Sequence, residues 1–215
     1  MMPFLDKLQR WADDRPDDTA VVVGGKRLNW ADLRDAATLR LGETAATTIL
    51  AEPNSLDFVV AYTAAVAGER RCAVLDPLWP HAMIDEVTGR MRQTGPATGL
   101  HHGEGDQLTD GDPDSTFLIG LTSGTTSVPK AFTRSRRSWQ VSFDASIEFF
   151  GLTPEDRTLA PGPLAASLNL YALSECLYAG RPSIPWRPST SAMSTRPSLT
   201  TASPALSSCL RCCAS

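Results

Sequence analysis

No run in the 215-residue chain approaches the ~20 apolar residues that a membrane-spanning helix needs. The N-terminus, Met1 to Arg15, is charged and amphipathic rather than signal-like. A net charge of −4 argues against a nucleic-acid or anionic-membrane surface as the main business. The expectation is therefore a cytoplasmic protein with no membrane span and no nucleic-acid partner. Cysteines number five, and three of them (Cys209, Cys212 and Cys213) crowd the last seven residues. They have no second pair and no nearby histidine, so a metal or redox site has little support there. Cys72 and Cys176 stand in apolar contexts and are expected to be buried thiols. Lysine is scarce, with three against seventeen arginines, and acid is absent from residues 181–215. The first 180 residues thus hold 16 basic and 24 acidic side chains, a formal −8.

The stretch that carries chemistry is Phe117-Leu118-Ile119-Gly120-Leu121-Thr122-Ser123-Gly124-Thr125-Thr126-Ser127-Val128-Pro129-Lys130. Its apolar part reads as a buried strand and its hydroxyl-rich part as a loop leaving the strand's end. Such a loop suits a phosphate chain. Gly124 lets backbone approach a ligand without a Cβ in the way, and successive N–H groups can form an anion-binding concavity. The hydroxyls of Thr122, Ser123, Thr125 and Thr126 add donors, and Lys130 adds a compact positive charge. No second glycine lies between Gly124 and Lys130, which excludes a Walker A loop.

These residues closely resemble the phosphate loop of the adenylate-forming enzymes, the acyl-CoA synthetase and ligase family, T-S-G-T-T-G-x-P-K. Only the second glycine departs, as Ser127. If that position requires positive φ, a serine there costs of order 1 kcal/mol.

The rest of the chain reads as alternating helices and strands. Phe4, Leu5, Leu8 and Trp11 share a helical face. Thr19–Val23 and Lys26–Leu28 form a hairpin about Gly24-Gly25. Asn29 caps a helix that stops at Gly42. Thr47–Ala51 is a strand, and Asn54 or Ser55 caps a helix ending at Gly68. Cys72–Leu75 is a buried strand, followed by a helix with Met83, Ile84 and Val87. Residues 102–115 are polar and Gly/Asp-rich and read as an exposed connection. Beyond the loop, Ala131–Thr133 is a strand, Ser138 caps a helix, Arg157–Ala160 is strand-like, and Ser167–Ala179 is an apolar helix ending at Gly180. The order predicts an α/β fold with a mostly parallel sheet flanked by helices. Residues 1–180 would form an incomplete N-terminal part of the adenylate-forming fold.

The resemblance extends through Leu28–Leu33, Val66–Pro77 and Pro161–Tyr171, where such enzymes often carry a His-Ser pair near the acyl pocket. Here the histidine position is Ala166, beside Ser167. The resemblance implies a two-step reaction with ATP, Mg²⁺ and coenzyme A: a carboxylate, such as a fatty acid, forms an acyl-adenylate, then a thioester. It assigns Thr122, Ser123, Gly124, Thr125, Thr126 and Ser127 to the phosphates, with Lys130 drawing charge from the leaving pyrophosphate. The family's acidic Mg²⁺ residue, ribose aspartate and C-terminal-domain lysine have no counterpart in the chain, so it is expected not to complete catalysis alone. Two other readings stand beside this one. One is a non-catalytic nucleotide-binding or interaction fragment, or half of a split enzyme with a separately encoded C-terminal piece. The other is an aryl-acid or amino-acid adenylating relative.

Residues 181–215, with 13 Ser/Thr, five Pro and no acid, have the composition of a disordered tail. A shifted reading frame gives the same composition. Read one base earlier, Ser207–Cys213 becomes an apolar segment with a Pro-Thr centre, and the arginine excess fits a GC-rich gene. The frameshift is the favoured expectation.

Overall fold

Gly24 and Gly25 both hold positive φ, 58° and 78°. Two adjacent residues in that region make the type I′ turn whose twist matches paired strands. The turn joins β1 (Thr19–Val23) to β2 (Lys26–Asn29), with Val23 opposite Lys26. A computed structural model describes residues 4–94, 107–121 and 129–185.

The capping residues behave as their chemistry dictates. Asn29 accepts from the Asp32 N–H and starts α2 (Trp30–Leu41), and Ser55 accepts from the Phe58 N–H and starts α3 (Leu56–Ala65). Residues Phe58 to Ala65 of α3 are all buried, as befits a helix that is apolar all round. It packs against β1, β2, β3 (Thr47–Leu50) and β4 (Arg71–Val74), so it lies between the chain's two sheets.

The remaining elements are α1 (Phe4–Asp14), α4 (His81–Thr94), β5 (Thr116–Leu121), β6 (Ala131–Ser135), α5 (Arg136–Phe150), β7 (Thr158–Ala160), α6 (Ser167–Ala179) and β8 (Ser183–Pro185). One sheet runs β2-β1-β8-β7 and the other β3-β4-β5-β6. In the first, β1, β8 and β7 are parallel; in the second, β3, β4 and β5 are, and β2 and β6 are antiparallel edges. The mostly parallel arrangement is as expected, but it is divided between two sheets with helices packed on them.

The first helix closes on the last. Leu5 and Leu8 of α1 are fully buried. Trp11 Nε1 donates to Leu177 O at 3.1 Å and Arg15 Nη2 to Gly180 O at 2.9 Å. These side chains satisfy carbonyls at the end of α6, where Gly180 turns the chain with φ 70°.

Three local expectations change. Ser135, not Ser138, caps α5, because its side chain accepts from the Ser138 N–H one turn on. Within 102–115, read as exposed, residues 102–106 lie outside the described residues, but Leu108 is 1% exposed and the Asp110 side chain 2%. Leu108 joins the core, and Asp110 turns inward because it bonds α1 and faces an arginine. Finally, residues 181–185 do not belong with a low-complexity tail. Ser183 is opposite Val21 and Thr158, and Arg181 is buried against Glu175 with Nη2 to Oε2 at 2.8 Å. Residues 186–215 lie outside the described residues.

Candidate functional site

The hairpin of β5 and β6 carries the phosphate-loop sequence. Leu121 is opposite Ala131, Gly120 opposite Phe132 and Ile119 opposite Thr133. The connection between Leu121 and Ala131 is therefore pinned at both ends by strand pairing. Phe117 and Leu118 anchor the hairpin, at 4% and 3% exposure. Gly120 has a packing reason, since a Cβ there would overlap the Phe132 ring. That ring in turn lies under the Arg134 guanidinium, 4.9 Å from its centroid.

Thr122, Ser123, Gly124, Thr125, Thr126 and Ser127 lie outside the described residues. Lys130 is described and is exposed at the loop's return, directly before β6. The parallel strands β3, β4 and β5 point their C-terminal ends to the same edge, the end at which open α/β sheets bind ligands.

A second connection reaches that edge. Asn54 follows β3, is 7% exposed, donates from Nδ2 to Gly162 O at 3.0 Å and accepts at Oδ1 from Leu164 N at 2.8 Å. It ties the loop after β3 to the loop after β7, in the other sheet. That second loop leads to Ala166, the N-cap of α6, which makes no side-chain capping bond, and to Ser167; both are exposed.

The arginine that ends the hairpin fixes its base. Arg136 opens α5, where the helix dipole disfavours a cation, yet it is 3% exposed. Its guanidinium donates to Val66 O at 3.0 Å, Arg70 O at 3.1 Å and Gly68 O, and to Ser115 Oγ at 2.6 Å. Three of these acceptors belong to the turn that ends α3 and leads to β4, so one charge clamps that turn to the hairpin. Arg136 Nε stands 3.9 Å from Asp110 Oδ1. Asp110 Oδ2 accepts from the Leu5 and Asp6 N–H groups at the start of α1. Burial pushes the Asp110 carboxyl up to about 7, against the pull of those N–H bonds and of Arg136. Burial likewise lowers the Arg136 pKa.

The sequence offered no signal for Asn54, Asp110 or Arg136 in these roles, because their partners are far away in the chain. Neither described thiol is poised as a nucleophile: burial pushes Cys72 far up and Cys176 up to about 11. Among the described residues no group of three or more His, Cys, Asp or Glu is placed to hold a metal ion, and no helix is long and apolar enough to cross a membrane.

No protein-family model matches the chain. Over 75 residues it is 44% identical to the uncharacterized acyl-CoA ligase YhfT of Bacillus subtilis, a match covering 35% of this chain and 16% of that protein. Over 63 residues it is 51% identical to VraA of Staphylococcus aureus, assigned as a long chain fatty acid-CoA ligase, covering 29% of this chain and 14% of VraA. The fold superposes on o-succinylbenzoate CoA synthetase (MenE) from Bacillus subtilis in complex with the acyl-adenylate intermediate OSB-AMP. The TM-score is 0.65 at 18% identity, over 85% of this chain and 55% of that one. The chain thus spans about half the length of that solved structure, and its matches reach about a sixth of the curated relatives. Over those segments its sequence is similar to acyl-CoA ligases, and its fold matches about half of the adenylate-forming ligase fold.

Proposed function

We propose that this chain is the N-terminal part of an AMP-forming acyl-CoA synthetase that activates a fatty acid through an acyl-adenylate and passes it to coenzyme A. The observation that carries the reading is the β5–β6 hairpin. Its connection bears the adenylate-forming loop sequence, and it returns through exposed Lys130 at the C-terminal edge of three parallel strands.

The chemistry demands charge neutralisation. A carboxylate attacking the α-phosphate approaches a polyanion, so donors must take up charge on the β- and γ-phosphates. Thr122, Ser123, Gly124, Thr125, Thr126 and Ser127 supply N–H and hydroxyl donors. Lys130 places its ammonium on the leaving pyrophosphate, and Pro129 stiffens the approach. Mg²⁺ enters as part of the substrate MgATP.

In this reading the chain binds MgATP but does not turn over alone, since groups for the ribose, the metal and the second half-reaction are supplied elsewhere. ATP–pyrophosphate exchange by the purified chain with a fatty acid would overturn that part. The complement is further polypeptide, encoded in the same frame, in a shifted frame after Pro185 or separately, and sequencing of the locus separates these. An open shifted frame downstream of the Pro185 codon is the expected result.

A further inference from the structure

Helix α1 is fastened at its two ends by different means. At its far end Trp11 and Arg15 donate to carbonyls that close α6. At its first turn the fastening is a carboxyl from another part of the chain. Asp110 Oδ2 accepts the N–H groups of Leu5 and Asp6, the second at 3.2 Å, and so caps the helix from 104 residues along. Asp6 answers it: its Oδ1 accepts the Asp110 N–H at 3.4 Å. Gln9 Nε2 adds a bond to Leu108 O at 3.2 Å. The platform under the helix is held without it. Gly68 bridges to Asp110, the Gly68 N–H donates to Thr109 O at 2.7 Å, and the Asp112 N–H donates to Glu69 Oε1 at 2.6 Å. The helix is less self-sufficient. Its 11 residues fall short of the ~12–15 that a helix needs to persist alone in water.

The groups around that platform lean toward acid. Helix α1 brings Asp6, α3 brings Tyr62 and α5 brings Arg136. The turn after α3 brings Glu69 and the buried Arg70, and Asp112 stands on the same stretch as Asp110. The nearest cation does not bond the carboxyl: Arg136 Nε stops 3.9 Å from Asp110 Oδ1, and the ends of that guanidinium are given to carbonyls and to Ser115. An ionised Asp110 is therefore buried beside a second carboxylate, Asp6, with the α1 N–H groups as its donors. Burial outweighs those donors and Arg136, and holds the carboxyl at about 7.

We propose that the first turn of α1 is a proton-held clasp, closed on its platform while the Asp110 carboxyl keeps a proton and loosened when that proton is lost. Opening gives the carboxylate to water and parts it from Asp6. The closed form keeps a proton that the open form gives up in the ordinary carboxylate range, near 4. Closure is therefore strongest below about pH 4, weakens as pH rises to about 7 and is level above. The opening is local, because Trp11 and Arg15 hold the far end on α6. It bares Leu5 and Leu8, which are fully buried in the closed form. The inference stands on these contacts and holds whatever reaction the protein serves.

Hydrogen exchange on the full chain tests it, with the amides of α6 as the internal reference. Protection of residues 5–12 and 170–177 is followed from about pH 5 to about pH 7.5, corrected for the intrinsic pH dependence of exchange. One titrating group changes an opening equilibrium by at most about tenfold per pH unit. The expected result is a loss of α1 protection, relative to α6, of at least about tenfold over that range. No loss in α1 overturns the clasp, and so does an equal loss in both helices, which is general destabilisation. Asp110→Asn keeps an acceptor for both N–H groups and cannot ionise, so its α1 protection should be level with pH; the wild-type decline in that variant overturns the proposal. Asp6→Asn gives a second reading that does not need the first variant to fold. With one like charge fewer beside Asp110, the decline should move to lower pH, and an unmoved decline counts against the clasp.

Discussion

Replacing Arg136 with methionine keeps the length of the side chain and removes every donor. In the folded chain this leaves Val66 O, Gly68 O and Arg70 O without the guanidinium and strands Asp110 beside α1. Breaking a buried ion pair from one side costs about 3–5 kcal/mol, a large share of the ~5–15 kcal/mol by which domains are stable. With a urea m-value of about 2–3 kcal/mol/M, the unfolding midpoint should fall by about 1–2 M at pH 7.5. Trp139 is a suitable reporter, because it packs edge-on against Phe117 at 5.1 Å and Tyr171 at 5.3 Å, next to the altered site. Adding Asp110→Asn should recover part of the loss, since no carboxylate is then left alone, while Asn Oδ1 still accepts from the α1 N–H groups. Arg136→Lys should fall between wild type and methionine, because one ammonium cannot reach all the acceptors. A midpoint for Arg136→Met within about 0.3 M of wild type would refute the clamp, the shift then being far below the ~3 kcal/mol required.

Other outcomes follow from single contacts. Gly120→Val should destabilise the hairpin by about 1–3 kcal/mol through overlap with the Phe132 ring; Phe132→Ala in the same chain should relieve most of it, as double-mutant denaturation would show. Asn54→Ala leaves Gly162 O and Leu164 N unmatched and should cost about 2–4 kcal/mol in urea unfolding. The Asp110 carboxyl, at about 7, lies above its unfolded value near 3.9, so the folded state holds more protons between those limits. Its contribution to stability therefore falls as pH rises from about 4 to about 7 and is flat above. Comparing melting temperatures across that range should show a shallower decline in Asp110→Asn. Lys130→Ala should abolish the thermal protection given by MgATP with little change in the ligand-free melting temperature, as expected for an exposed side chain; undiminished protection would remove Lys130 from the site.

How much was legible in the sequence depended on the distance over which each signal acts. The Gly24-Gly25 hairpin, the Asn29 cap, α6 and its stop at Gly180 were read correctly because a few neighbouring residues determine them. The hairpin position of the hydroxyl-rich loop was half legible: strand, loop and strand were read, but not that the two strands pair. Asp110 and Arg136 were missed because each is charged and stands in a polar stretch, while the groups that make its burial tolerable lie 21 or more residues away. Strand β8 was hidden by composition. Pro182 precedes it and Pro185 ends it, and both look like breakers, yet Pro182 still offers its carbonyl to the Thr158 N–H. Asn54 was read as a possible cap beside Ser55; local chemistry allowed either, and the loop from the other sheet decided between them.

The embrace between the two ends of the described fold sets a timetable for its making. Trp11 and Arg15, at the end of the opening helix, find the carbonyls of Leu177 and Gly180 more than 160 positions later, and Val21 finds Ser183 at a similar remove. As the ribosome works from one end, α1 with its greasy flank of Leu5 and Leu8 can meet α2 early but lacks α6 until nearly everything else has been spun out. A nascent chain halted before residue 177 would hold that flank open to whatever chaperone or neighbour came first, whereas one released just past residue 185 could latch shut.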